Sequence, residues 1–405
     1  PSMRRRAGAP LDLYSAVASF PAHVQAGSLT TVRKKIHRSA ITAMCVGKSA
    51  SFGDAGGHAG GGGGGGSGGG GVSRAKMNSL SSAKMLLYST SEDTSLKLHT
   101  WNGSRSVGGS VGVGVGGRVD AGAWAQRRSV QLNSLSLSSC VLRQMSNESI
   151  EAAVVGSWDN HIYVYSVECG RMQQQLVAHD DAVGCLAQSR THLASGSWDS
   201  TVKLWQWTPQ GLSRDPLLTV FDHDTQVNCV AMTNADASVG ADNMVLSGGD
   251  NGMVALHDSR EGGAAAMICD TDAPVSALQW CADGGSFVVC SASPEGDYGT
   301  LQVHDVRMNW GCAHAIDMDY PGKCMSIVES QDGSASPPLI VTGCVDGRAR
   351  CFELAASEMF SKWEVDVGNS GDAITAMAAA GGASGAEQLA FGTAAGNSIV
   401  FGLRR

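Results

Sequence analysis

The sequence predicts an all-β fold, a seven-bladed β-propeller interrupted by disordered Gly-rich inserts. Three observations predict it. One kind of segment recurs along the whole chain. Glycine is abundant, at 53 of 405 residues, while charged residues make up only 16%. Within each recurring segment, apolar and polar residues alternate as they do in half-buried strands. Glycine and serine punctuate a chain of many short elements. A hydrophobic content of 43% still leaves enough apolar residues for a sizeable core.

The recurring segments, in order, are YSTSEDTSLKLHT (88–100), VGSWDNHIYVYS (155–166), LASGSWDSTVKLWQW (193–207), VLSGGDNGMVALHD (245–258), VCSASPEGDYGTLQVHD (289–305), IVTGCVDGRARCFEL (340–354) and LAFGTAAGNSIVFGL (389–403). Each reads as a small β-prone strand, a tight polar turn and an alternating strand. The turn position falls at Asp93, Asp159, Asp199, Asn251, the region of Asp297, Asp346 and Ala395. The intervals cluster near the propeller repeat of about 40–45 residues. A further alternating strand precedes most segments, as in HRSAITAMCV (37–46), HDDAVGCLAQ (179–188) and HDTQVNCVAM (223–232). Seven such units close a ring with only short edges.

These units set the expected boundaries: blades near 29–99, 130–167, 172–207, 217–258, 266–306, 313–354 and 360–403 within a propeller over 29–405. Residues 1–28 are expected to be a basic linker or tail. Residues 53–76 and 103–123 are expected to be disordered Gly-rich inserts, because neither can pack a core. The first insert would split blade 1 and the second would lie between blades 1 and 2. The last unit ends at a third strand, so 29–36 is the expected partner that closes the ring and covers an open edge.

Charge narrows the partners. Net charge is −8. Residues 1–40 hold Arg4, Arg5, Arg6, Arg33, Lys34, Lys35 and Arg38 against Asp12 alone, so the remaining body is more acidic than the total suggests. An acidic body does not suit duplex nucleic acid, whose binding rests on neutralising phosphates. The basic start reads as a solvated linker, with acidic lipid or an upstream domain as the alternative contact. The twelve cysteines include no C-x-x-C pair. They sit singly in apolar runs, as reduced thiols do in a cytosolic protein, and neither zinc nor a disulfide framework has the required spacing. No apolar run is long enough for a membrane helix. Gly112, Gly114 and Gly117 match a dinucleotide fingerprint in form only, since no βαβ context surrounds them. The chain begins at Pro1 and is expected to be the C-terminal part of a larger protein.

The repeats resemble WD40 proteins over about residues 29–403. Two stretches are similar, more specifically, to the C-terminal propeller of BEACH-domain proteins. One spans 156–205, with its paired S-W-D turns and HDDAV loop. The other is HRSAITAMCV with STSEDTSLKLHT and LSLSSCVL (135–142). The resemblance implies a large cytoplasmic scaffold, at most peripheral at membranes, acting in vesicle trafficking or membrane-proximal signalling. Its propeller would dock other proteins and could contact an upstream BEACH domain. The alternative is a stand-alone WD40 adaptor subunit of a ubiquitin ligase or a ribonucleoprotein complex. No cofactor or metal is expected in either case.

The WD40 resemblance also implies a structural hydrogen-bond network: His179, Ser195, Asp199 and Trp205 in blade 3, with His37, Ser89 and Asp93 in blade 1, Asp159 in blade 2, His223 and Ser247 in blade 4, and Asp346 in blade 6. His99 and His257 stand where Trp205 stands in blade 3. Ser, His and Asp also make up a hydrolase triad. That reading is set aside, because a triad needs an exposed nucleophile and an oxyanion site, and no nucleophile elbow is present. Just before the turn acids come Glu92, Trp158, Trp198 and Asp250, and Asp180 and Asp181 lie on the adjoining loop. Exposed aromatics flanked by charge are good partner anchors. The competing reading is that each tryptophan packs on a neighbouring loop.

Overall fold

The structure, a computed structural model, describes residues 32–47, 85–102, 123–132, 135–144, 150–167, 169–233, 244–258, 260, 265–271, 273–293, 295–328, 337–355, 358–367, 371–380 and 386–404. The expected tail (1–28) and nearly all of the two expected Gly-rich inserts lie outside the described residues.

Short alternating strands bounded by turns pair with their sequence neighbours, and seven antiparallel sheets result. Blade 1 is built from Ile41–Gly47, Met85–Ser91, Ser95–Asn102 and Ala123–Gln131. Blade 2 holds Leu137–Gln144, Ile150–Ser157, His161–Ser166 and Arg171–Val177. Blade 3 holds Val183–Gln188, His192–Ser197 and Val202–Thr208, with two short edge strands, Gly211–Leu212 and Leu218–Val220. Blade 4 holds Val227–Met232, Met244–Gly249, Met253–Asp258 and Ala265–Asp270. Blade 5 holds Val275–Trp280, Ser286–Ala292, Gly299–Asp305 and Cys312–Met318. Blade 6 holds Gly322–Val328, Leu339–Cys344, Arg348–Leu354 and Met359–Asp366. Blade 7 holds Ile374–Ala380, Ala386–Thr393 and Asn397–Arg404. Its fourth strand comes from the other end of the chain. Val32–Lys35 lies antiparallel to Asn397–Arg404, with Val32 opposite Val400 and Lys35 opposite Asn397.

The sequence repeat and the blade are staggered by one strand. Arg171–Val177, at the head of the third sequence unit, pairs with His161–Ser166 and so completes blade 2. The same stagger corrects the placement of the second insert. Ala123–Gln131 pairs with Ser95–Asn102, so the intervening residues interrupt blade 1 between its third and fourth strands and do not separate blades 1 and 2. The outer strand of a blade is continuous in sequence with the next blade, which a reading of units cannot distinguish from a gap between blades.

Two devices make the blades fit one another. Every first strand carries a β-bulge near its start, as between Ile41 and Ala43, Val183 and Cys185, and Ile374 and Ala376. A bulge re-aims the skipped side chain. The skipped Thr375 donates through Oγ1 to the Ile41 carbonyl of the next blade at 2.5 Å, and the skipped Ser138 donates in the same way to Val183 O. The second device is a glycine in the second strand. A Cβ on Gly196 would lie 2.6 Å from a Val227 methyl, one on Gly248 2.6 Å from Val275, and one on Gly343 2.5 Å from Ile374. Each missing side chain admits a branched residue of the following blade, and Val227, Val275 and Ile374 are fully buried. Among the described residues the core accordingly divides into seven apolar clusters, each shared by two consecutive blades. The last joins Ile36, Ile41, Met44 and Leu87 to Ala376, Ala378, Ala390 and Val400, which closes the ring.

The ring has two faces. One carries the turns between second and third strands together with the loops that lead into the first strands; we refer to it as the turn face. The strand Val32–Lys35 ends at this face with Lys35 and starts nearer the opposite one. Among the described residues, no helix is long and apolar enough to cross a membrane.

Candidate docking face

The turns share one geometry. The amides of Thr94, Ser200, Gly252, Gly347 and Gly396 each donate to the carbonyl three residues earlier. Thr94, Asn160, Ser200, Gly252, Gly347 and Gly396 all have positive φ. This is a type I turn followed by a left-handed residue, which suits a short hairpin. The first central residue of each turn projects from the face. Its own amide is held by the loop entering the first strand: Glu92 N donates to Ala40 O, Trp158 N to Ser136 O, Trp198 N to Ala182 O and Asp250 N to Gln226 O. The backbone is therefore fixed on both sides while the side chain is left outside.

In blades 1, 2, 3 and 6 the second central residue is an aspartate whose carboxylate turns inward. In blade 3 the Asp199 carboxylate accepts from the amides of Asp180 (3.0 Å) and Thr201 (2.9 Å), from Thr201 Oγ1 (2.6 Å) and from His179 Nδ1 (3.0 Å). A carboxylate only accepts, so His179 carries its proton on Nδ1. Its Nε2 then accepts from Ser195 Oγ at 2.8 Å, and Ser195 in turn accepts from Trp205 Nε1 at 2.9 Å. The chain of donors runs Trp205, Ser195, His179, Asp199 with every member used. Ser195 and Trp205 are almost fully buried, so Ser195 presents no nucleophile to solvent. Blade 1 repeats the arrangement. His37 Nε2 lies 2.8 Å from Ser89 Oγ and Nδ1 lies 3.1 Å from Asp93, whose carboxylate also accepts from Ser95 Oγ and from the Arg38 amide at 2.8 Å. For both acids burial alone would raise the carboxyl pKa. The convergent donors outweigh burial and hold Asp93 and Asp199 well below the usual carboxylate range.

The remaining members depart from this pattern. Asp159 has no histidine of the blade 3 kind; its carboxylate accepts from Tyr163 Oη at 2.6 Å and from the His161 amide at 3.3 Å. Asp346 likewise joins no His–Ser chain. The guanidinium of Arg350 grips both its oxygens, at 3.1 and 2.6 Å, and reaches Glu364 at 3.3 Å. In blade 4, His223 Nε2 and His257 Nε2 both approach Ser247 Oγ, at 2.7 and 2.8 Å. Neither Nδ1 has a hydrogen-bond partner among the described residues. Thr201, Ser95, Tyr163 and Arg350 were not singled out from the sequence. The signal for them is strand periodicity: residues two, four and six after the turn acid share one face of the third strand, as Thr201, Lys203 and Trp205 do.

The buried histidines predict acid lability. Burial pushes His37 and His257 down to about 4 from 6.5, with Asp93 opposing the shift at His37 and His223 adding to it at His257. Between pH 6.5 and 4 the unfolded chain therefore binds more protons than the fold. Stability is complete above the unfolded value and falls as pH drops through this window. Calorimetry from pH 7.5 to 4.5 should show the melting temperature declining from below pH 6.5, before carboxylates titrate. A flat melting temperature down to pH 5 would contradict this.

On the outside of the turns, Trp158 and Trp198 face each other across blades 2 and 3. Their ring centroids are 5.5 Å apart at a 43° tilt. They remain 41% and 38% exposed, and Leu135, beside the Ser136 that anchors Trp158, is 48% exposed. Trp198 leans over Gly184, where a Cβ would sit 3.5 Å from its ring. The two rings thus pack on each other and still offer apolar surface. Glu92, Asp180, Asp181 and Asp250 are all exposed around them.

The comparisons with known proteins agree with this geometry. The WD40 family, described as "WD domain, G-beta repeat", matches residues 170–206, which contain His179, Ser195, Asp199 and Trp205. The chain is also similar to BEACH domain-containing protein B of Arabidopsis thaliana, with 30% identity over 129 residues. That match covers 26% of this chain and 5% of the relative. The protein therefore carries a WD40 repeat on a seven-bladed propeller, an architecture that typically serves as a protein-interaction scaffold.

Proposed function

We propose that this chain is a non-catalytic protein-interaction scaffold that docks partner proteins through the turn face around Trp158 and Trp198. The observation that carries the reading is the exposed tryptophan pair on a rigid rim, fixed by backbone bonds on both sides. Aromatic anchors held in place before binding lose little freedom when a partner covers them. The acidic body disfavours nucleic acid as the partner.

The similarity to the Arabidopsis BEACH protein supports the further reading of a C-terminal propeller in a BEACH–WD40 protein. Such a protein would be cytoplasmic, peripheral at membranes at most, and active in vesicle trafficking or membrane-proximal signalling. An upstream BEACH domain would be an intramolecular partner. Within that class the paired S-W-D turns resemble those of the factor associated with neutral sphingomyelinase activation. Reading the coding sequence upstream of residue 1 tests this part, and an open reading frame without a BEACH domain overturns it.

The docking face has its own test. Trp158→Ala with Trp198→Ala should weaken binding of captured partners by about 2 kcal/mol or more, roughly thirtyfold, as removal of an aromatic hot spot does. The melting temperature should stay within a few degrees of wild type, since both rings are largely outside the core. Capture by wild type and double variant, compared side by side with the melts, decides it. Unchanged capture, or an unfolded double variant, defeats the docking reading. Recovery of ligase or ribonucleoprotein components in place of trafficking proteins would favour a stand-alone adaptor.

A further inference from the structure

We infer that the segment docked on this face is cationic, an arginine- or lysine-bearing stretch of a partner protein whose charged head lies on the tryptophan pair. This rests on the docking reading above and adds the chemistry of the occupant. Three observations point the same way. The first is the order of side chains at the projecting turn position: Glu92, Trp158, Trp198 and Asp250 form an arc over four consecutive blades, with acid at both ends and indoles between. The second is the charge of the surrounding loops. Residues 157–160, 177–182, 197–201, 221–226 and 249–252 expose Asp180, Asp181, Asp222, Asp224 and Asp250 and include no lysine or arginine. The exposed bases described on the blade 1 side of this face are Lys35 and Arg38, beyond Glu92 from the tryptophans, and Arg38 stands where blade 3 has Asp180. Lys203, beneath the turn of blade 3, is already committed to the Ala178 carbonyl at 2.8 Å.

The third observation is geometric. The indoles pack on each other at 5.5 Å with a 43° tilt and still leave 41% and 38% of Trp158 and Trp198 exposed, so aromatic surface remains open beside the acids. A guanidinium or ammonium over such a face, within about 6 Å of the ring centre, is attracted by the ring quadrupole. The Asp181 carboxylate is held on the loop that anchors this turn: its Oδ1 accepts from the Ala182 amide at 2.7 Å, and the Ala182 carbonyl accepts from Trp198 N at 3.0 Å. A cation on Trp198 therefore approaches a loop whose carboxylate is already positioned. An acidic or phosphate-bearing ligand would meet like charge across the same arc, and a purely apolar segment would leave the aspartates to be desolvated without compensation.

Short fluorescent peptides on a Gly/Ser background, carrying several Arg, Lys, Gln or Glu residues, test this by anisotropy against the 405-residue chain. The Arg peptide should bind best and the Lys peptide next, because a planar guanidinium also stacks. The Gln and Glu peptides should be at least roughly tenfold weaker, and raising salt past a Debye length of about 8 Å should weaken the Arg peptide. Trp158→Ala with Trp198→Ala should cost the Arg peptide roughly tenfold. Asp180→Asn with Asp181→Asn should cost about threefold and reduce the salt dependence. Trp158→Phe with Trp198→Phe, which keeps the stacking, serves if the alanine pair fails to fold, and should bind between the two. A Gln or Glu peptide binding as tightly as the Arg peptide overturns the inference. So does an Arg peptide that ignores both the indoles and the aspartates. If partner capture depends on the tryptophans while the peptides are not discriminated, the docking face stands and its cationic preference falls.

Discussion

Asp199→Ala should lower the stability of the propeller by about 1–3 kcal/mol, the cost of leaving buried polar groups without partners. The substitution removes the acceptor for two amides, for Thr201 Oγ1 and for His179 Nδ1. The damage spreads along the donor chain, since His179 is then free to turn and Ser195 loses the acceptor that orients its proton. It also falls between blades. His179 follows Arg171–Val177, the outer strand of blade 2, and Asp199 lies in the turn of blade 3, so their bond pins one blade to the next. Asp199→Asn should cost less than alanine, because Asn keeps one acceptor. Blade 4 displays the outcome: Asn251 Oδ1 still accepts from the Met253 amide at 3.2 Å, while among the described residues His223 Nδ1 finds no hydrogen-bond partner. Thermal melts of wild type, Asn and Ala variants should rank in that order, with the alanine variant a few degrees lower or more. Equal melts would mean the buried network contributes nothing to stability.

Removing residues 1–35 should have a larger effect. It deletes Val32–Lys35 and leaves Asn397–Arg404 as an unpaired edge. Four register pairs are lost, which at about 1 kcal/mol for each net hydrogen bond amounts to several kcal/mol. The freed edge is also a template for pairing between molecules. The His37–Asp93 bond at 3.1 Å and the bonds from Ile36 and His37 amides to Gly396 O, at 3.0 and 3.1 Å, would then hold a strandless linker. Gly396 allows this approach, since a Cβ there would lie 2.4 Å from His37 O and its φ is +79°. The truncated chain should melt earlier, elute partly as oligomers, and exchange amides faster over 386–404. A truncated chain that stays monomeric with the wild-type melt would show that closure is dispensable.

The blades were legible in the sequence because most turns repeat one chemistry, an acid or asparagine at Asp93, Asp159, Asp199, Asn251 and Asp346 followed by glycine or a small polar residue in the left-handed position; blades 5 and 7 were legible from spacing. The closing strand was legible from a missing partner at the end of the last unit. What escaped were features set by neighbours in space. The blade boundary runs through the sequence repeat, because the outer strand is contiguous with the following unit. The bulges and the glycines that admit Val227, Val275 and Ile374 depend on the adjoining blade, which local pattern does not encode. The site was read unevenly for the same reason. Asp199 and His179 stand out as types at fixed spacing. Tyr163 and Arg350 substitute for histidine by reaching the turn acid from the third strand, and only their position four residues after Asp159 and Asp346 hints at it.

Ring closure also decides how the molecule can bear load. Val32–Lys35 runs along the depth of the ring, with its early end toward the face away from the tryptophans. A pull applied through the preceding residue acts parallel to this strand. The hydrogen bonds to Asn397–Arg404 cross the strands at right angles and would be strained together in shear, not peeled one after another. A partner seated on Trp158 and Trp198 sits across the thickness of the ring, about 20 Å for strands of this length. Tension between tether and cargo would pass through the whole barrel of blades. Under such a pull, the short strand that completes blade 7 would be the first element to carry the load.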